Sequence, residues 1–193
     1  MKKALIFTLA LCLLLCGCGA GEDAAIEGIR QQYAKLAAAE MEAEVTLHTP
    51  EEDRTFTLQC SYTPQKSTVR VLAPEELADI TATVEGEQLT VSYGKHILPA
   101  GTLSGLCPAN MLPYLLQAAA EGYLREYGRE EKEGTACCRL TLCTYDAGNR
   151  ERVCTLWLDA DTLIPRYAEA AGEDGAAALS VKMLSFRCEL TEE

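Results

Sequence analysis

Ten cysteines, two histidines and 29 acidic residues are the groups in this 193-residue chain that could ligate a metal, form a disulfide or move a proton. A metal reading would start from Cys137 and Cys138. Neighbours on a strand point to opposite faces, however, and the chain has neither C-x-x-C nor H-x-x-x-H spacing. His48 and His96 fall where strand ends or loops are expected, and no G-x-S-x-G, phosphate-binding glycine loop or Cys-His signature accompanies them. Glu75 and Glu76 could supply the paired carboxylates of glycoside hydrolysis. With 29 acids in the chain, adjacency alone says little. The expectation is a protein that is no enzyme and needs no metal or cofactor. A turn centred between Gly148 and Asn149 would set Cys143 directly opposite Cys154, within disulfide range. A Cys143–Cys154 bridge and a pair of small buried thiols both remain open.

Seventeen Lys plus Arg against 29 Asp plus Glu give a formal charge of −12. Such a surface repels a phosphate backbone, so no nucleic-acid partner is expected. Residues 1–17 read as an export signal: Lys2 and Lys3, an apolar run over 4–15, then small residues. The run falls short of the about 20 apolar residues that span a membrane. It ends in Leu15-Cys16-Gly17-Cys18, which resembles the lipobox of bacterial lipoproteins, with an apolar residue three before the modified cysteine and a small one just before it. An ordinary secretory signal cut nearby is the other reading. The resemblance implies a thioether-linked diacylglyceryl group on Cys18, and two acyl chains anchor stably where one does not. The chain would then sit outside the cytoplasm, lipid-anchored to the cell membrane, with residues 18–23 as a lipidated tether and 24–193 as one domain. Seven cysteines would remain, namely Cys60, Cys107, Cys137, Cys138, Cys143, Cys154 and Cys188, too odd a number to pair fully within one chain.

The elements follow from apolar spacing. From residue 23 to about 41, Ile26, Ile29, Tyr33, Leu36, Ala37 and Met41 recur at threes and fours, the stripe of a helix packed on a core. The period then becomes two. Phe56, Leu58, Cys60 and Tyr62 alternate with polar residues, and Val45 and Leu47 would face Leu58 and Phe56 across a loop holding Pro50. A Gly86-Glu87 turn places Val84 opposite Leu89, Ala82 opposite Val91 and Ile80 opposite Tyr93. One-sided apolar strands argue for an antiparallel sheet. Its cover would be the first helix and a second one, capped by Asn110, with Pro113 in its first turn and Leu112, Leu115, Leu116 and Ala119 as its buried stripe. Strands are expected again beyond Gly122, and a bulge between Met183 and Leu184 would reconcile the phase flip there.

The stretch Leu156-Trp157-Leu158-Asp159-Ala160-Asp161-Thr162-Leu163-Ile164-Pro165-Arg166-Tyr167 is a strand, an Asp-led turn and a Pro restarting a strand. It resembles the corresponding segment of the lipoprotein-carrier superfamily, the LolA/LolB-like proteins, and the order of elements is similar over most of the chain. The resemblance implies an α+β fold: a strongly curved antiparallel sheet, an incomplete barrel, with an N-terminal and a central helix covering its concave apolar face. It implies a lipid-anchored extracytoplasmic binding protein, monomeric, sheltering an acyl chain, a lipoprotein or another apolar ligand in the half-barrel. Inward residues Phe56, Leu58, Val84, Leu89, Val91, Leu112, Leu115, Leu116 and Trp157 would line the cavity. The alternative is an envelope interaction or sensory module with a filled core and no ligand.

Overall fold

The structure is a computed structural model that describes residues 20–103, 105–146, 148–172 and 177–191. The signal segment and Cys18 lie outside the described residues. Helix α1 spans Ala20–Ala34 with Glu22 and Asp23 in its first turn, where carboxylates oppose the positive end of the helix dipole. The expected tether residues 20–23 are therefore already helical. The helix also ends earlier than its stripe suggests, because Leu36–His48 form strand β1. Met41, Ala43 and Val45 are buried there while Glu40 and Glu44 face solvent, a period of two. Ala, Glu and Met are good helix formers, but pairing on both sides overrides that preference.

The remaining strands are β2 (Asp53–Thr63), β3 (Lys66–Ala73), β4 (Thr81–Glu85), β5 (Gln88–Tyr93), β6 (His96–Thr102), β7 (Tyr123–Lys132), β8 (Thr135–Tyr145), β9 (Glu151–Asp159), β10 (Pro165–Ala171) and β11 (Ala177–Leu190). Helix α2 (Met111–Glu121) separates β6 from β7. Among the described residues, eleven strands join one antiparallel sheet in the order β6-β5-β4-β3-β2-β1-β11-β10-β9-β8-β7. The first and last strands pair along nearly their full length, from Leu36 opposite Leu190 to Leu47 opposite Leu179. This seam joins two meanders, β1–β6 and β7–β11. Helix α2 touches β2, β8 and β9. Four strand spacings separate β2 from β9, about 19 Å if the sheet were flat, against a helix about 10 Å across. The sheet must curl around the helix, and its two ends remain unjoined, as expected of an incomplete barrel.

Several registers match expectation. Val84 pairs with Leu89 and Ala82 with Val91. The ladder shifts between Glu42 and Ala43, where Ser185 and Met183 are the partners, so Leu184 is the extra residue of the expected bulge and is exposed. Other registers correct the expectation. Val45 faces Phe56 and Ala43 faces Leu58, two residues from the expected pairing but on the same face. The β8–β9 turn closes on Asp146, whose N–H donates to Arg150 O and whose carboxylate accepts from the N–H of Gly148 and of Arg150. That centres the turn on Gly148, so Cys143 pairs with Val153 and Cys154 with Leu142. A one-residue slip sends opposed side chains to opposite faces, and the Cys143–Cys154 bridge does not exist; both are free thiols.

Two junctions hold the helices in place. Arg30 Nη2 donates to Gly122 O at 2.9 Å, setting a cation at the C-terminal end of α2. Gly122 is required there, since a Cβ would lie 2.5 Å from Ala118 O. Tyr33 Oη donates to Leu163 O at 2.8 Å, tying α1 to the late turn. In that turn Asp159 accepts from Thr162 N and Oγ1, both at 3.0 Å, and from Arg166 Nη2 at 2.9 Å. The Arg166 side chain and then the Thr162 amide hold the Asp159 carboxyl at about 2, below its ordinary 3.8. A carboxyl depressed by folding stabilises above its unfolded pKa and loses that contribution as pH falls toward the folded one. Asp159→Asn should therefore cost about 1 kcal/mol at pH 7, since solvent screens the partly exposed pair, and remove part of the stability loss between pH 4 and 2, read by urea titration at each pH.

Candidate functional site

The concave face has two unlike halves. Under the helices, Leu112, Leu115 and Leu116 are at most 4% exposed and interlock with Tyr33, Met41, Leu156, Leu158, Met183 and Phe186. The void left among them is ≈ 10 Å³, at or below what one water needs. This part of the expected cavity is solid.

Over β2–β5 the cover is a strap of irregular chain, Leu103 and residues 105–110. Leu103 N donates to Glu87 O at 2.9 Å, fixing one end. The other end is fixed by Asn110, which does not cap α2 with its side chain. Its Oδ1 instead accepts from Cys107 N at 2.8 Å while its Nδ2 donates to Gly105 O at 2.9 Å, so the amide braces the strap. A strap is narrower than a helix, and clefts open beside it.

One cleft is an apolar groove of ≈ 220 Å³. Its floor is Phe56 and Leu58 of β2, Val69 and Val71 of β3, and Ile80 and Ala82 at β4; its wall is Cys107, Pro108 and Ala109 of the strap. The second is a polar cleft of ≈ 450 Å³ between the β2–β3 and β4–β5 turns, the start of α2 and the β8–β9 turn.

The nine residues expected to line one cavity are thus dispersed. Phe56 and Leu58 line the groove, and Val84 lines the polar cleft. Leu112, Leu115 and Leu116 belong to the solid interior, while Leu89 and Val91 are half-buried farther toward the β6 edge. Trp157 stands on the opposite face. Its indole Nε1 donates to Glu130, and the Lys132 ammonium lies 3.8 Å from a ring centroid. A tryptophan has a polar N–H that needs a partner and a ring face that attracts cations, and the outer face supplies both. Residues missed by sequence reasoning include Val69, Val71 and the strap. The alternation of Ser67, Val69 and Val71 with Lys66, Thr68 and Arg70 carried the strand signal, and Gly105 and Pro108 marked the loop.

The groups with chemistry do not converge. His48 bridges Asp53 at 3.0 Å and Ser180 at 2.8 Å, both near strand ends. His96 is exposed at the start of β6, and Glu75 and Glu76 project from a short exposed 3-10 turn. Among the described residues no group of three His, Cys, Asp or Glu could hold a metal. Burial pushes the Cys60 and Cys154 thiols up to about 12. Cys143 donates to Glu151 Oε1 at 2.6 Å, and burial followed by that bond raises its pKa as well.

No family model matches the chain and no curated protein matches it. Among solved structures, it shares its fold with an uncharacterized conserved protein from Thermus thermophilus, at 11% identity and a TM-score of 0.51 over 89% of this chain and 90% of that one. Weaker likenesses include the lipoprotein LppX from Mycobacterium tuberculosis (14% identity, TM-score 0.47, 85% and 95% covered). A LolA superfamily protein from Nitrosomonas europaea is another (10% identity, TM-score 0.46, 86% and 94% covered).

The thiols report on the solidity of the interior. Maleimide should modify exposed Cys188 in the native protein and reach Cys60 and Cys154 only on unfolding, as peptide mass mapping will show. Native labelling of Cys154 at the rate of Cys188 would mean that the core opens.

Proposed function

We propose that the chain is an extracytoplasmic binding protein, lipid-anchored through Cys18, that takes an apolar moiety into the groove beside the strap. The observation that carries this reading is the groove itself, ≈ 220 Å³ with an apolar lining and open to solvent, while the concave face under the helices is packed. Each methylene moved into it is worth about 0.8 kcal/mol. Its volume is below the roughly 300 Å³ at which small-molecule pockets begin, so it suits a stretch of acyl chain or an apolar side chain of a client lipoprotein better than a whole lipid. The lipobox resemblance supports the anchor and the location, and the late hairpin supports kinship with lipoprotein carriers.

A second reading, an envelope interaction or sensory module, is favoured by the solid interior and by edge strand β6. Ile97 and Leu98 are 69% and 64% exposed there, beside Tyr93 at 59%. Strand edges with unpaired backbone groups accept partner strands.

Two outcomes test the leading reading. Cys18→Ser should abolish incorporation of an alkynyl fatty acid and release the chain from membranes, seen by gel fluorescence. Soluble protein beginning at Gly19 should bind an apolar fluorescent probe that fatty acid displaces. Ala82→Trp, which fills the groove, should weaken that binding at least about tenfold, a loss of 1.4 kcal/mol or more. Leu116→Ala should instead cost about 2–5 kcal/mol of stability and leave the site intact. A protein that binds no probe, yet crosslinks to another protein through position 98, would establish the second reading.

A further inference from the structure

We infer that the polar cleft is a second binding site, for a neutral sugar. Two buried side-chain oxygens among the described residues lack a hydrogen-bond partner, Ser67 Oγ and Tyr114 Oη. Both residues line this one cleft of ≈ 450 Å³, and they are 4% and 6% exposed. A buried hydroxyl without a partner is costly, and two on the same cleft point to a ligand that completes them.

The chemistry of the cleft selects the ligand class. Asp146 is already satisfied by Gly148 N, Arg150 N and the Arg152 guanidinium, and Lys66 is bridged to Glu85 at 2.9 Å. The lining therefore offers no free ammonium to an anionic group, and Glu87 at the rim repels one. Around the cleft stand the two buried hydroxyls, the carboxamide of Gln65, that of Gln117, whose Nε2 also donates to Glu121 at 3.5 Å, and the rings of Tyr62 and Tyr145, the last residue 60% exposed. Hydroxyls and carboxamides both donate and accept, which matches the hydroxyls of a pyranose, while flat aromatic faces suit its C–H faces. A peptide strand fits less well. β3 is paired on both sides, to β2 and to β4, and presents no free edge to extend.

The test is saturation-transfer NMR of the full chain in lipid nanodiscs with maltose, cellobiose and chitobiose, against empty nanodiscs and with tri-alanine as comparison. The expected result is transfer to ring protons of at least one disaccharide, with affinity at least tenfold weaker in Tyr114→Phe and in Ser67→Ala. Neither substitution should lower the melting temperature, because neither hydroxyl has a protein partner to lose. The groove variant Ala82→Trp should leave the sugar signal unchanged, which separates this site from the apolar one. Absence of transfer to all three sugars, equal transfer in parent and both variants, or tri-alanine binding with the same Tyr114 dependence would overturn the proposal.

Discussion

The fold is governed by a shortage of cover. Eleven strands present a long concave apolar face, and α2, the helix that lies on it, has eleven residues. Exposed apolar surface must be removed from water, and two means are available: curl the sheet or add chain. The sheet curls until β2 and β9 both reach α2. What curling leaves bare over β2–β5 is crossed by the strap, which covers without filling. The solid interior and the two clefts are thus consequences of one constraint, and any site on the concave face lies where helical cover runs out.

The outer face obeys a different rule. Solvent wets it, so its order comes from polar contacts between strands. Lys132 lies over the Trp157 ring, Tyr167 donates to Glu133, and Lys182 bridges the same Glu133 carboxylate at 2.7 Å. Exposed pairs of this kind add little stability individually, but they fix which residues face outward and so help to define register.

Much of this was legible in the sequence, and the failures share a cause. The β4–β5 hairpin, α2, the bulge at Leu184 and the Asp159 turn each depend on local signals: a two-residue turn, a stripe, a broken phase, an Asx turn. Errors arose where the outcome depended on partners distant in sequence. Residues 36–41 carry helix formers, and only β2 and β11 make them a strand. Trp157 sits between Leu156 and Leu158, three apolar residues in a row that give no readable phase, and Glu130 and Lys132 decide its face. The Cys143 register turned on a single carboxylate, Asp146. The groove depends on where the strap lands, a tertiary fact that no periodicity encodes.

The seam between β1 and β11 has a consequence in time. A polypeptide emerging N-terminus first from a ribosome holds β1 with one long side unsatisfied until residue 190 has appeared. Each meander must wait as an unfinished half, since closing the chain over about 150 residues is slow and entropically demanding. Completion belongs to the final moments of synthesis, when β11 becomes available to close on β1.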